Sequence, residues 1–226
     1  MIRVFIGYDN AERVAVSVLA HSINTNSSEP VSIAPVMLSQ LRGVFDRPRN
    51  ELQSTEFSFS RFLTPWFAGY EGWAIFMDCD MLVRADIAEL WRLRDDRYAV
   101  QVVKHVHVPK EETKFLGQVQ TKYEKKNWSS VMLMNCARCK ALTPEFVNRA
   151  SGLELHQFKW LGNDELIGAL PPRWNHLVGY DAADPAAALV HFTIGGPWFE
   201  QYRDCEFADE WRAARAAMLS ADGRTA

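Results

Sequence analysis

Long hydrophobic runs are missing from this 226-residue chain, and with them the roughly 18 consecutive apolar residues that a membrane-spanning helix requires. The opening Met1-Ile-Arg-Val-Phe-Ile-Gly-Tyr-Asp reaches an acidic residue after a short apolar run, too soon for a signal-peptide core. Cysteine is scarce: Cys79, Cys136, Cys139 and Cys205 are too few to frame a disulfide scaffold at this length. The spacing of Cys136 and Cys139 has no second pair to complete a zinc site, and His105 and His107 lie far away in sequence. A cytoplasmic location is the expectation, with transient contact at a membrane surface left open. Neither sign of charge dominates. The 25 Lys and Arg against 28 Asp and Glu give a formal charge of -3, without the broad basic character that a nucleic-acid backbone attracts. Gly7 is not part of a G-x-G-x-x-G turn, which sets aside a dinucleotide dehydrogenase. Internal repeats and an interdomain linker are also missing.

What is present describes an ordinary globular protein, 48% hydrophobic and 23% charged. Eight Trp and thirteen Phe are spread along the chain, as in a packed domain with aromatic-walled clefts. One α/β domain over residues 1–226 is expected, with a helical tail at 205–226. Ile2 to Gly7 reads as a buried strand, Asp9 or Asn10 as the cap of a helix carrying Val14 to Ile23, and Val31 to Leu38 as a second strand. Both strands are apolar almost throughout, which predicts a parallel sheet with covered faces. Gln40 to Thr55 reads as a surface loop, and Phe57 to Phe67 as a helix beside a cleft. Further strands are expected at Trp73 to Met77, Met81 to Val83, Tyr98 to Val103, Ser129 to Asn135 and Leu189 to Thr193. Helices are expected at Ile87 to Trp91, Pro144 to Ala150 and Asn163 to Leu170, the last stopped by Pro171-Pro172.

The most informative segment is Asp78-Cys79-Asp80, at the end of the strand Trp-Ala-Ile-Phe-Met. Two carboxylates one residue apart can meet a single hard cation where the backbone turns, and strand ends are where open α/β sheets form ligand crevices. The same tripeptide also arises by chance in many chains. His191 is the candidate third ligand, near another strand end and ahead of Gly195-Gly196-Pro197. An imidazole ligand favours Mn²⁺ over Mg²⁺. A structural histidine at a strand terminus is the alternative.

Taken together, these segments resemble the GT-A class of nucleotide-sugar glycosyltransferases, and most closely glycosyltransferase family 8, the retaining group that includes glycogenin and bacterial lipopolysaccharide glycosyltransferases. The landmarks run from residue 2 to about residue 199. The resemblance implies a Rossmann-like mixed sheet flanked by helices, with a metal-binding Asp-x-Asp at a strand end. It places Gly7, Tyr8, Asp9 and Asn10 at the nucleobase and ribose, with Asp9 on the uracil edge; a plain helix cap is the other reading of Asp9 and Asn10. It puts Arg61 against the donor, where a buried ion pair or a solvated face is the alternative. Asp78, Asp80 and His191 fall on the family's metal ligands. Asn135 and Asp164 fall on its donor-sugar and reacting-face positions. The family follows its late histidine with Lys-Pro-Trp; this chain has Gly195-Gly196-Pro197-Trp198, with Gly196 in the lysine-like place. Backbone N–H groups of Gly195 and Gly196, or Lys104, Lys110 or Lys114, are the candidates to hold the diphosphate instead.

The implied reaction moves a hexose from a UDP-sugar to a carbohydrate, a lipid-linked glycan or another hydroxyl acceptor, with Mn²⁺ or Mg²⁺ as cofactor and retention of configuration. The attack is on the front face or through a covalent intermediate involving Asp164, and His105 to Lys126 would close over the pocket. The rival readings are a nucleotide-sugar hydrolase or nucleotidyltransferase using the same acidic pair, and a non-enzymatic carbohydrate-binding protein. Oligomeric state is left open.

Overall fold

The computed structural model describes residues 1–49, 53–106 and 124–220. Strand β1 (Ile2–Gly7) sends Ile2, Val4 and Ile6 into the core on one face. Asp9 then caps a single 3-10 turn, and α1 (Arg13–Thr25) follows. Its buried Ala15, Val16, Val18, Leu19, Ser22 and Ile23 form one stripe at helical spacing. Each fully buried branched side chain contributes about 1.5–3 kcal/mol of transfer free energy, so this stripe is what fixes the helix to the sheet.

The main sheet has six strands in the order β2-β1-β3-β6-β5-β7, formed by β2 (Val31–Val36), β3 (Trp73–Met77), β5 (Val100–Val102), β6 (Val131–Asn135) and β7 (Ile167–Ala169) beside β1. Strand β6 runs antiparallel to both neighbours, β3 and β5, while the other pairings are parallel. The carboxyl ends of β1, β3 and β5 therefore meet the amino end of β6 at one end of the sheet. The central strands β3 and β6 are apolar runs because both of their faces are covered, and Ala74 to Met77 and Val131 to Met134 are fully buried.

A second, three-stranded sheet has the order β4-β9-β8, with β4 (Met81–Val83), β8 (His176–Leu177) and β9 (Leu189–His191). Helix α2 (Thr64–Phe67) precedes β3, α3 (Ile87–Arg92) follows β4, and α4 (Pro144–Arg149) and α5 (Gly152–His156) follow β6. The last helix, α6 (Ala208–Leu219), buries Trp211 with Val18 of α1 and Val190 and Phe192 of the small sheet. This is the mixed α/β sheet flanked by helices that the sequence predicts.

Three local expectations change. Strand β2 is an edge strand with only Val36 buried, so its apolar run does not mark two covered faces. The stretch Phe57 to Phe67 is a 3-10 turn (60–63) followed by the short α2, with no longer helix. Asn163 to Leu170 is a 3-10 turn (164–166) leading into β7, where a helix is expected. Pairing with β5 overrides helical periodicity there, and Gly168 permits it: a Cβ at that position would lie 2.5 Å from the Tyr98 ring. Most of the polar segment from His105 to Lys126, including Lys110 and Lys114, lies outside the described residues.

Candidate metal centre

Asp78-Cys79-Asp80 joins the two sheets. Asp78 N–H donates to Ser130 O at 2.9 Å, closing the large sheet, and Asp80 O accepts from Phe192 N–H at 2.8 Å, opening the small one. The chain bends at Cys79 and Asp80, burying Cys79 completely, and both carboxylates come to one place. The antiparallel register Met81↔His191 then brings the histidine beside Asp80. As a result, one ligand atom each from Asp78, Asp80 and His191 lie within 4.8 Å of one another, and all three residues are buried. His191 Nε2 is 3.4 Å from Asp80 Oδ1. Two carboxylates and an imidazole at this spacing are a donor set suited to a divalent cation.

The surroundings are strongly acidic. Asp9 and Glu12 are buried as well, and Cys79 Sγ lies 3.6 Å from Glu12 Oε2. Burial, followed by the charges of Glu12, Asp80, Asp78 and Asp9, pushes the Cys79 thiol well above its ordinary value. Arg61 partly offsets them. Its Nη1 is 2.7 Å from Asp78 Oδ1 and donates to Ser129 O at 3.0 Å, and its guanidinium lies over Phe57 and Phe76. Arg61 thus makes the buried ion pair that is one of its readings from sequence.

The other predicted residues separate into distinct roles. Asp9 does cap the turn: Oδ1 accepts from Ala11 N–H at 2.9 Å and Oδ2 from Glu56 N–H at 3.0 Å. Asn10 Nδ2 donates to the Glu56 carboxylate, and Tyr8 N–H donates to Val36 O. Gly7 is required by packing, since a Cβ there would fall 2.3 Å from the Phe57 ring. Asn135 is not brought to the cluster. The antiparallel register Trp73↔Asn135 and Met77↔Val131 puts it at the opposite end of the sheet, where its Nδ2 faces Asp96 Oδ1 at 3.5 Å. Asp164 is exposed, and its Oδ1 accepts from Lys125 Nζ at 2.6 Å. Gly195 N–H is engaged with Phe192 O at 2.8 Å and so is not offered to a phosphate. Gly196 lies under Trp198, where a Cβ would come within 2.1 Å of the indole. That ring also packs on Phe192 and Trp211, so a lysine in this place would collide with the joint between α6 and the small sheet. Lys104 is exposed, with Nζ 5.6 Å from the Trp128 ring centroid.

Sequence reasoning missed Glu12, Ser129, Ser130 and Asn175. Glu12 reads as a solvated acid in a first helical turn, and Asn175 sits in no motif. Only the sheet register brings Ser130 and Asn175 to the strand ends.

Among known proteins, this chain is 52% identical to "Protein CDI" of Arabidopsis thaliana, across 92% of the chain and 84% of that protein. The chain belongs to the same family as Protein CDI. No protein-family model matches it. In three dimensions the CDI-family fold is similar to the WbbM bifunctional glycosyltransferase, with a TM-score of 0.67 at 14% identity over 95% of this chain and 49% of that one. It is similar to GlyE of Streptococcus pneumoniae TIGR4, with a TM-score of 0.62 at 15% identity over 96% of this chain and 62% of that one. It also matches the galactosyltransferase LgtC, solved with donor and acceptor sugar analogs, with a TM-score of 0.58 at 12% identity over 97% of both chains. The chain thus spans about half of WbbM, under two thirds of GlyE and nearly all of LgtC. At these identities the likeness establishes the fold, which is of the GT-A-like glycosyltransferase type. No helix among the described residues is long and apolar enough to cross a membrane.

Proposed function

We propose that this chain is a metal-dependent glycosyltransferase that moves a hexose from a UDP-sugar to an acceptor hydroxyl with retention of configuration, on the pattern of glycosyltransferase family 8. The observation that carries this reading is the buried group of Asp78, Asp80 and His191 at the carboxyl end of β3, set in a GT-A-like fold. Mn²⁺, with Mg²⁺ as the second choice, would be held by those three side chains and would neutralise charge on the departing diphosphate. The chain's own contribution is positional. Arg61 orients Asp78, and the Asp9-capped turn fixes the end of β1, whose following residues Tyr8 and Asn10 are assigned to the base and ribose. Asp164 is assigned to the reacting face of the donor sugar, and Lys125 keeps its carboxylate in place. No covalent nucleophile is assigned, and front-face attack is the preferred course. The acceptor is a carbohydrate, a lipid-linked glycan or another hydroxyl compound. Residues 1–226 act as one domain, with α6 as its packed tail.

Calorimetric titration of UDP with and without Mn²⁺, repeated on Asp80→Ala, tests the donor site. Binding should depend on the metal and weaken by about a hundredfold or more in the variant, as expected when a ligand to the cation is lost. Absence of UDP binding under every metal condition would overturn the UDP-sugar reading. Release of free UDP without any acceptor, at the same rate as with one, would point to hydrolysis rather than transfer.

A further inference from the structure

We propose that Asn175 is the positioning residue of the metal centre: it locks His191 in the Nδ1–H tautomer and leaves the Nε2 lone pair facing the cation. This rests on the metal reading of Asp78, Asp80 and His191.

The argument runs along a chain of hydrogen bonds that has only one consistent direction. Asn127 O is a backbone carbonyl and can only accept. Ser130 Oγ lies 2.6 Å from it and so must give its one proton there. Ser130 Oγ can then only accept from Asn175, 2.9 Å away, which identifies the facing atom as Nδ2, also directed at Asn127 O at 3.4 Å. Asn175 Oδ1 is thereby turned to His191 Nδ1 at 3.0 Å, and an amide oxygen accepts, so Nδ1 carries the proton. Nε2 faces Asp80, 3.4 Å from Oδ1. Asn175 is fully buried and His191 nearly so. Water therefore offers the ring little alternative, and the amide decides its orientation.

Ser130 and its neighbour Ser129 also hold the other arm of the site. Ser130 O accepts from Asp78 N–H, and Ser129 O accepts from the Arg61 guanidinium that pairs with Asp78. The amino end of β6 thus sets Asp78 through its backbone and His191 through Asn175. Outer partners of metal-bound histidines typically change metal affinity by about 10–100-fold when removed.

The test combines a tautomer readout with a metal readout. With ¹⁵N-labelled histidine, long-range ¹H–¹⁵N spectra of the metal-free protein should show His191 protonated on Nδ1; protonation on Nε2 would overturn the proposal. Mn²⁺ titration followed by EPR should show Asn175→Ala binding about 10–100-fold more weakly than wild type, with its circular dichroism unchanged. Asn175→Asp keeps the acceptor for Nδ1–H while losing the donor to Ser130 Oγ, and should bind Mn²⁺ more tightly than Asn175→Ala. Wild-type affinity in folded Asn175→Ala, or an equal loss in both variants, would overturn it. If Asn175→Ala does not fold, the wild-type tautomer decides. Failure of wild type to bind Mn²⁺ would instead sink the metal reading, and the tautomer would then judge Asn175 alone.

Discussion

The Arg61–Asp78 pair concentrates the energetics of the site in two side chains. Both residues are buried, 2.7 Å apart, and the guanidinium is also held by Ser129 O and the faces of Phe57 and Phe76. Removing only the cation strands a carboxylate among Asp9, Glu12 and Asp80. Arg61→Met should therefore destabilise the metal-free protein by about 3–5 kcal/mol in urea unfolding at neutral pH. Arg61→Met combined with Asp78→Asn should recover much of that loss, because no uncompensated charge remains. Equal destabilisation in the single and double variants would show that the arginine acts through packing on the two phenylalanines instead. A donor contact, a buried ion pair and a solvated face for Arg61 could all be written from sequence. Setting the solvated face aside needed the packing of Arg61 against Asp78 and Ser129, and no spacing in the sequence announces that packing.

At the scale of elements, what the sequence made legible follows burial. Strands β1, β3 and β6 have both faces covered or a clean apolar alternation, and all three are visible as short apolar runs ending in polar residues. The end of β3 placed Asp78 and Asp80, and the end of β9 placed His191. Asn135 was misplaced because a strand carries no mark of its direction: read as parallel it ends at the site, and read as antiparallel it begins there. Strand β7 was hidden because pairing, not periodicity, determines it, and β8 is a two-residue strand with no pattern to read. Helix α5 is only five residues long, too short to show a stripe. Local capping holds it: Ser151 Oγ accepts from Glu154 N–H while the Glu154 carboxylate accepts from Ser151 N–H. Ser151→Ala should cost about 1 kcal/mol, seen as a lower urea midpoint with an unchanged slope. A change in slope would mean that α5, and with it the placement of His156 behind β6, is lost in the folded state as well.

Across the whole molecule, that histidine links stability to pH. The His156 ring packs against Phe59 and Phe62, and its Nδ1 meets Ser129 Oγ at 2.8 Å. Burial, then the positive charges of Arg61 and Lys126, hold its pKa well below the ordinary value of 6.5. The folded ring therefore stays neutral while the unfolded chain takes up a proton as pH falls below about 6.5. The unfolded state binds more protons in that window, so stability rises with pH there and is lost on acidification, by up to about 1.4 kcal/mol per unit once the difference is complete. Asp86, Asp95, Glu145 and Glu154, whose pKa values are lowered by their hydrogen bonds, act in the same direction but only below about pH 5, where unfolded carboxylates begin to protonate. The two windows separate cleanly. Urea unfolding at pH 7.5, 6.5 and 5.5 should show wild type losing stability between the last two points, and His156→Gln, which has no proton to gain, losing about 1 kcal/mol less. Parallel losses in both proteins would assign the acid sensitivity to other groups and would mean that His156 can be protonated in place, beside Arg61, without opening the fold.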